Sequence, residues 1–222
     1  MPTPTKENYL KAVFFLSQKN QQISITALAN KMKVSKPTAN NMVKKMEQNN
    51  WLLYEKYKPL ELTQAGKKMG ALIVRKHRLA EMFLAEVMGF GWEEVHEIAE
   101  EMEHLKSHSF FDRMDEILGF PTIDPHGSPI PDKNGTIPKS TYINLTTIKA
   151  GEKVRLCGLL KSSREFLLYL NKKKITLGTE FKVQQIERFD NSFEIGLTPT
   201  KTLVLTYEVC KCLLVQKLEE NS

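Results

Sequence analysis

The chain has 222 residues, 41% of them hydrophobic and 26% charged, with a formal net charge of +6. That length suits two or three small domains of ordinary globular composition. No run of 18 apolar residues is present and residues 1–7 lack the apolar core of a secretory signal, so the expectation is a cytoplasmic protein with no membrane partner. Three cysteines confined to the last third fit a reducing compartment better than a disulfide framework. Cys210 and Cys212 alternate along an apparent strand and read as small core residues.

The charge is unevenly spread. Residues 1–75 carry 13 basic and 4 acidic side chains, residues 76–131 carry 4 and 12, and residues 132–222 carry 15 and 10. A basic head suits a polyanion and an acidic middle suits cations. Two ordinary solvated faces are the plain alternative.

In chain order, residues 5–19 read as a helix capped by Thr5, with Tyr9, Leu10, Val13 and Phe14 on its apolar face. Residues 25–33 read as a short helix with Leu28 and Met32 inward. Val34 and Ser35 make a turn, and Ser35 caps a second helix with Pro37 in its first turn, where a missing N–H costs nothing. Ala39, Met42, Val43 and Met46 follow helical spacing, leaving Thr38, Asn40, Asn41, Lys44 and Lys45 on the outer side. Short helix, turn and second helix with a polar, basic outer face is the helix-turn-helix pattern. Amide and hydroxyl groups there suit base edges, and the lysines suit phosphates. The apolar-alternating runs of residues 51–63 flank a basic tip and read as a hairpin, the wing, with Lys56 and Lys58 as phosphate contacts. A small helical core with a basic solvated face is the alternative.

Thr63 then caps a long helix from Gln64 to about Val87. A second helix runs from Trp92 to about Lys106 and a third from Phe110 to Leu118. Apolar residues on three helices after a DNA-binding head suit a homodimer interface. His77 and Glu81 are four apart on the long helix, and His96, Glu100, Glu103 and His104 form one stripe on the next. Imidazole and carboxylate are ligands for first-row divalent ions. A solvated Glu-rich face with surface histidines is the alternative.

These residues carry a resemblance. R-K-H-R-L-A-E at 75–81, V-H-E-I-A-E-E-M-E-H at 95–104 and D-P-H-G-S-P-I-P at 124–131, following S-K-P-T-A-N-N-M-V-K-K-M-E, resemble the diphtheria-toxin-repressor family of iron- and manganese-dependent transcriptional repressors. The resemblance covers residues 1–131 strongly and the rest loosely. It implies an ancillary metal site at His77, Glu81 and His96. It implies a regulatory site at Glu100, Glu103 and His104, completed from the first helix by Asn8. It also implies DNA contacts from Ser35, Pro37, Thr38, Asn40 and Asn41, beside which Lys36 and Lys44 are further DNA-binding candidates.

The chain departs from the family at several positions. Iron-type members place a thioether at position 8 and a thiol at position 100, and manganese-type members place carboxylates at 8 and 11. Here stand Asn8, Lys11 and Glu100. Glu100 is a hard oxygen donor that leans towards Mn²⁺ over Fe²⁺. Lys11 cannot ligate and would repel an ion, which argues against a compact two-metal centre and for two separate sites per subunit.

Residues 119–141 are rich in Pro, Gly and Asp and read as connecting segment, with His126 a structural residue of its turn. From Thr141 on, five or six short alternating runs suggest a small β-barrel, and residues 164–178 read as helix, turn and strand. By resemblance this is an SH3-like, FeoA-type domain, and Glu165 is its candidate ligand to the ancillary site.

The expected fold is multi-domain α+β. A winged helix-turn-helix occupies residues 1–70, a helical metal-binding and dimerisation domain 71–131, a linker 132–141 and the SH3-like barrel 142–222. The expected function is a non-enzymatic repressor of metal-homeostasis genes that binds double-stranded operator DNA as a homodimer, with Mn²⁺ or Fe²⁺ as cofactor and no small organic substrate. Two rivals are a metal-independent winged-helix regulator sensing another ligand, and a hydrolase. The hydrolase fails because Glu100 stands where H-x-x-E-H needs its first histidine.

Overall fold

The computed structural model describes residues 3–18, 22–56, 58–198 and 200–219. It divides into two compact units. The first contains residues up to Ala80 together with Glu97–Thr122 and Ile130–Pro138, and the second contains Glu81–His96, Ile123–Pro129 and the chain from Lys139.

In the first unit, α1 (Pro4–Ser17) is capped by Thr3, not Thr5: Thr3 is extended and its side chain accepts from the Lys6 N–H. Pro4 takes the first helical position, where a missing donor costs nothing, and this places the cap one residue before it. The expected end of this helix at Lys19 lies outside the described residues. Helices α2 (Ile25–Met32) and α3 (Lys36–Gln48) are capped by Ser24 and Ser35. Between them Lys33 adopts a left-handed conformation that closes α2, and Ser35 then starts α3 with proline in its first turn. Leu10, Val13, Leu28, Ala39, Val43 and Met46 meet in one core, with Met32 and Met42 partly buried against it.

The wing is short. Strand β1 (Leu52–Leu53) pairs antiparallel with β2 (Glu61–Leu62), Leu52 opposite Leu62. Helix α4 (Gln64–Glu86) follows, and Thr63 accepts from the Gly66 N–H at its start. A side chain at Gly66 would stand 1.8 Å from the Trp51 carbonyl oxygen, so only glycine lets this helix begin against the wing.

Helix α5 (Val95–Met102) is shorter than the sequence suggests: residues 92–94 and 103–104 are turns flanking it. Helix α6 (His108–Ile117) is capped by Ser107, buries Phe111 and Met114, and leaves Phe110 and Ile117 exposed.

In the second unit, β3 (Ile143–Asn144), β4 (Lys153–Leu159), β5 (Glu180–Ile186), β6 (Phe193–Thr198), β7 (Lys201–Leu205) and β8 (Leu213–Lys217) form one antiparallel sheet in the order β3-β8-β4-β5-β6-β7. Alternation puts Val154, Leu156, Val183, Ile195 and Val215 on its buried face. Helix α7 (Arg164–Lys173) buries Leu167 and Leu170 in the same core. The strand expected before Gly178 does not form. Lys174 closes α7 in a left-handed conformation and residues 176–179 turn, bonded Thr179 N–H to Thr176 carbonyl. The cysteines also differ from expectation. Both are buried, but Cys210 ends the helical turn α8 (Tyr207–Cys210) and Cys212 follows it before β8. Burial pushes the Cys210 thiol up to about 12.

Candidate metal centre

Glu103 is the hub of the first unit's site. It is fully buried. The Lys11 ammonium lies 2.7 Å from its Oε1 and donates to its Oε2 at 2.8 Å, and His77 Nδ1 is 2.7 Å from Oε2. Glu100 joins the cluster through Lys11, whose Nζ is 2.6 Å from Glu100 Oε1. Ligand atoms of His77, Glu100 and Glu103 all fall within 4.8 Å of one another. The stripe predicted on one helix is thus assembled from α5 and the turn after it, with His77 supplied by α4.

His104 is oriented by a residue that the sequence reading passed over. Its Nδ1 meets Glu7 Oε2 at 2.6 Å, while its Nε2 lies 3.8 Å from Glu103 Oε1. A carboxylate can only accept here, so Nδ1 carries a proton, and in the neutral ring Nε2 faces the cluster with its lone pair. Glu7, Asn8 and Lys11 lie on α1, so the first helix of the DNA-binding head reaches the cluster at Glu7 and Lys11. Asn8 Oδ1 is buried and makes no hydrogen bond. Glu103 Oε1, close to the ammonium, is not hydrogen-bonded either. Lys76 points at the Leu105 carbonyl, 2.8 Å away, and burial lowers its affinity for a proton against the pull of Glu7 and Glu103.

The second unit has its own cluster. Glu81 and His126 are buried, with His126 Nδ1 3.7 Å from Glu81 Oε2 and 4.0 Å from Asp124 Oδ1. Glu81, Asp124 and His126 offer ligand atoms within 4.8 Å of one another. His96 Nδ1 stands 3.2 Å from Glu81 Oε1. His126 Nε2 donates to the Trp92 carbonyl at 2.8 Å, and its ring stacks on the Trp92 ring at 6.2 Å and 18°. A carbonyl can only accept, so Nδ1 faces the carboxylates free of a proton whenever the ring is neutral. Burial opposes protonation of His126, but Glu81, Asp124 and the Trp92 carbonyl outweigh it and hold the imidazole above its ordinary value.

The D-P-H-G turn is built for this placement. Asp124 Oδ1 accepts from the N–H groups of His126 and Ser128 at 2.8 and 2.9 Å. Gly127 sits at φ +80°, where a Cβ would be 2.1 Å from the Cys157 carbonyl oxygen. The turn packs on β4, and the Leu159 N–H bonds to the His126 carbonyl. His126 is thus structural in its backbone, as expected, and its ring faces Glu81 and Asp124. Glu165 stands exposed in the first turn of α7, and no cluster of possible ligands found among the described residues includes it.

On α3, Ser35, Lys36, Pro37, Thr38, Asn41 and Lys44 are exposed and Asn40 is half-buried. Ser35 Oγ caps Thr38 N–H at 3.3 Å. Lys56 and Lys58 are exposed on the wing, Lys58 2.6 Å from Glu55.

A winged helix-turn-helix whose first helix is pinned to a carboxylate–imidazole cluster defines a class: transcription regulators that couple DNA binding to a divalent metal. The comparisons make this specific. Residues 1–60 match the iron dependent repressor N-terminal DNA binding domain, residues 63–132 the iron dependent repressor metal binding and dimerisation domain, and residues 143–217 the FeoA domain. The chain is 37% identical over 127 residues to the iron-dependent repressor IdeR of Mycobacterium leprae, covering 57% of this chain and 55% of that relative's length. It is 32% identical over 120 residues to the HTH-type transcriptional regulator MntR of Geobacillus thermodenitrificans, covering 54% of this chain and 84% of the relative. A solved manganese-dependent transcriptional repressor in complex with manganese matches with TM-score 0.86 and 28% identity, over 96% of this chain and 99% of the other. The chain belongs to the family of iron- and manganese-dependent transcriptional repressors. No helix among the described residues is long and apolar enough to cross a membrane.

Proposed function

We propose that the chain is a Mn²⁺-responsive repressor of metal-homeostasis genes, with Fe²⁺ the next candidate, and that Glu103 is the residue on which its response turns. It acts in the cytoplasm on double-stranded operator DNA as a homodimer and catalyses no reaction. The observation that carries the reading is the buried Glu103 carboxylate, set between α1, α4 and the turn after α5.

The donors fit the ion. Glu100, Glu103 and His104 offer hard oxygens and an imidazole, and the unpartnered Asn8 Oδ1 is a further buried oxygen on α1. His77 completes this first set. In the second unit Glu81, Asp124 and His126, with His96 beside Glu81, form a second set of the same chemistry. When bound, the ion supplies positive charge that these carboxylates share. Glu7 holds His104 in the ligating tautomer. Because α1 belongs to the DNA-binding head and Glu103 to the dimerisation domain, joining them restricts how the heads of a dimer are spaced, and so favours two half-sites in successive major grooves. Exposed Phe110 and Ile117 on α6 give that domain an apolar face for the partner copy.

The test is the affinity of chelator-stripped protein for promoter DNA of metal-transport genes, measured anaerobically with and without Mn²⁺ or Fe²⁺. At least a hundredfold gain with metal, lost in Glu103→Ala, is the expected result. Equal, tight binding without metal supports the metal-independent rival instead.

A further inference from the structure

Lys11 is an unusual residue to find at a metal site. Its side chain is buried among the apolar residues of α1, only 8% exposed, and its ammonium lies 2.6 Å from Glu100 Oε1 and 2.7 Å from Glu103 Oε1. A charge is retained in such a place only when paired, and here its partners are two of the carboxylates just assigned to the metal. We propose that Lys11 is a tethered competitor: it occupies the Glu100 and Glu103 carboxylates in the metal-free protein and sets how much metal is needed to take them. The proposal rests on the reading of Glu103 as a metal ligand.

The geometry explains why the two cations exclude each other. A divalent ion on a carboxylate oxygen lies roughly 2.0–2.6 Å from it, so ion and ammonium on the same Glu103 oxygen would be within about 5 Å of one another. Like charges so close, in a site with little water to screen them, repel strongly. An ammonium has no lone pair while protonated and cannot join the ligand set. Metal therefore binds only as Lys11 leaves Glu103 or at the cost of its repulsion, and either way the lysine weakens metal binding. The same ion pairs hold α1 against α5 before metal arrives, so the lysine keeps the metal-free site folded while it raises the threshold for occupation.

The experiment is a calorimetric Mn²⁺ titration of the full chain carrying Glu81→Ala, to silence the second cluster, with and without Lys11→Met. Lys11→Met is expected to bind Mn²⁺ at least tenfold more tightly, with a lower melting temperature in the metal-free state. Lys11→Arg keeps the charge and is expected to retain the parent affinity. Parent-like or weaker binding by a folded Lys11→Met protein overturns the proposal. Should Lys11→Met be unfolded without metal, Mn²⁺-driven refolding followed by circular dichroism gives the same comparison, and a refolding midpoint above the parent's dissociation constant overturns it. Loss of the site in Glu103→Ala with no tightening in Lys11→Met defeats the competitor alone. An unchanged site in Glu103→Ala defeats the underlying reading as well.

Discussion

Glu103 has a lysine ammonium 2.7 Å from its Oε1, whereas Glu81 lies beside the rings of His96 and His126 and Asp124 accepts from two backbone N–H groups. Both clusters combine carboxylates with imidazoles, but what an arriving ion must displace differs. At the second, the His96 and His126 imidazoles stand beside Glu81, and an imidazole that loses its proton becomes a ligand. At the first it contends with a lysine ammonium, which has no lone pair to offer while protonated. On the proposed reading the difference separates two tasks: the second cluster would hold an ion, and the first would respond to the ion's concentration.

The largest expected effect comes from Glu103→Ala. It removes the proposed hub ligand and leaves the buried Lys11 without one of its two carboxylate partners. Metal-dependent DNA affinity is expected to fall at least a hundredfold, and the metal-free protein to lose about 3–5 kcal/mol of stability by denaturant unfolding. Glu81→Ala tests the contrast, since it is expected to lower Mn²⁺ stoichiometry by one ion while leaving the Glu103 cluster able to bind.

Gly127→Ala comes next. Its Cβ meets the Cys157 carbonyl at 2.1 Å in a backbone conformation that disfavours L-residues. A loss of about 2 kcal/mol or more is expected, together with weaker Mn²⁺ binding at the second cluster only. Glu7→Gln acts at the other site: without its carboxylate, His104 loses its orienting partner, and Mn²⁺ affinity at the first cluster is expected to fall about tenfold by chelator competition.

The smallest effect is that of pH. His126 is held above its ordinary value, so its proton competes with metal already near neutrality. Mn²⁺ affinity at the second cluster is expected to fall as pH is lowered, by up to roughly tenfold between pH 7.5 and 6.5. In the metal-free protein the sign is opposite. The protonated His126–Glu81 pair stabilises fully below the unfolded imidazole value of about 6.5, and that contribution is lost as pH rises through the higher folded value.

Much of this was legible in the sequence because it depends on local pattern. The caps at Ser35 and Thr63, the buried stripe of α3, the wing hairpin and most sheet strands follow from spacing and turn residues within a few positions of each other. The His and Glu residues at 77, 81, 96, 100, 103 and 104 stood out as helical stripes, although 103 and 104 lie in the turn after α5. What escaped reading depends on distance along the chain. Glu7 meets His104 across 97 positions and Lys11 meets Glu103 across 92. Nothing at residue 7 distinguishes such a partner from an ordinary surface charge on an amphipathic helix, and the resemblance marked Lys11 only as a residue that could not ligate, without showing that it pairs with Glu103. His126 was hidden differently: its neighbours spell a turn, and only the docking of that turn on β4 shows the ring facing Glu81. The shortened α5 reflects residues 92–94, where Trp92 serves packing and stacking in place of a helical turn.

The most direct test of the Glu103 centre is anomalous diffraction at the manganese edge from crystals of the Mn²⁺-loaded protein. The expected result is a peak bounded by Glu100, Glu103 and His104 with the Lys11 ammonium withdrawn from Glu103. Crystals whose manganese peaks lie away from these residues, with the Lys11–Glu103 pair intact, would contradict it.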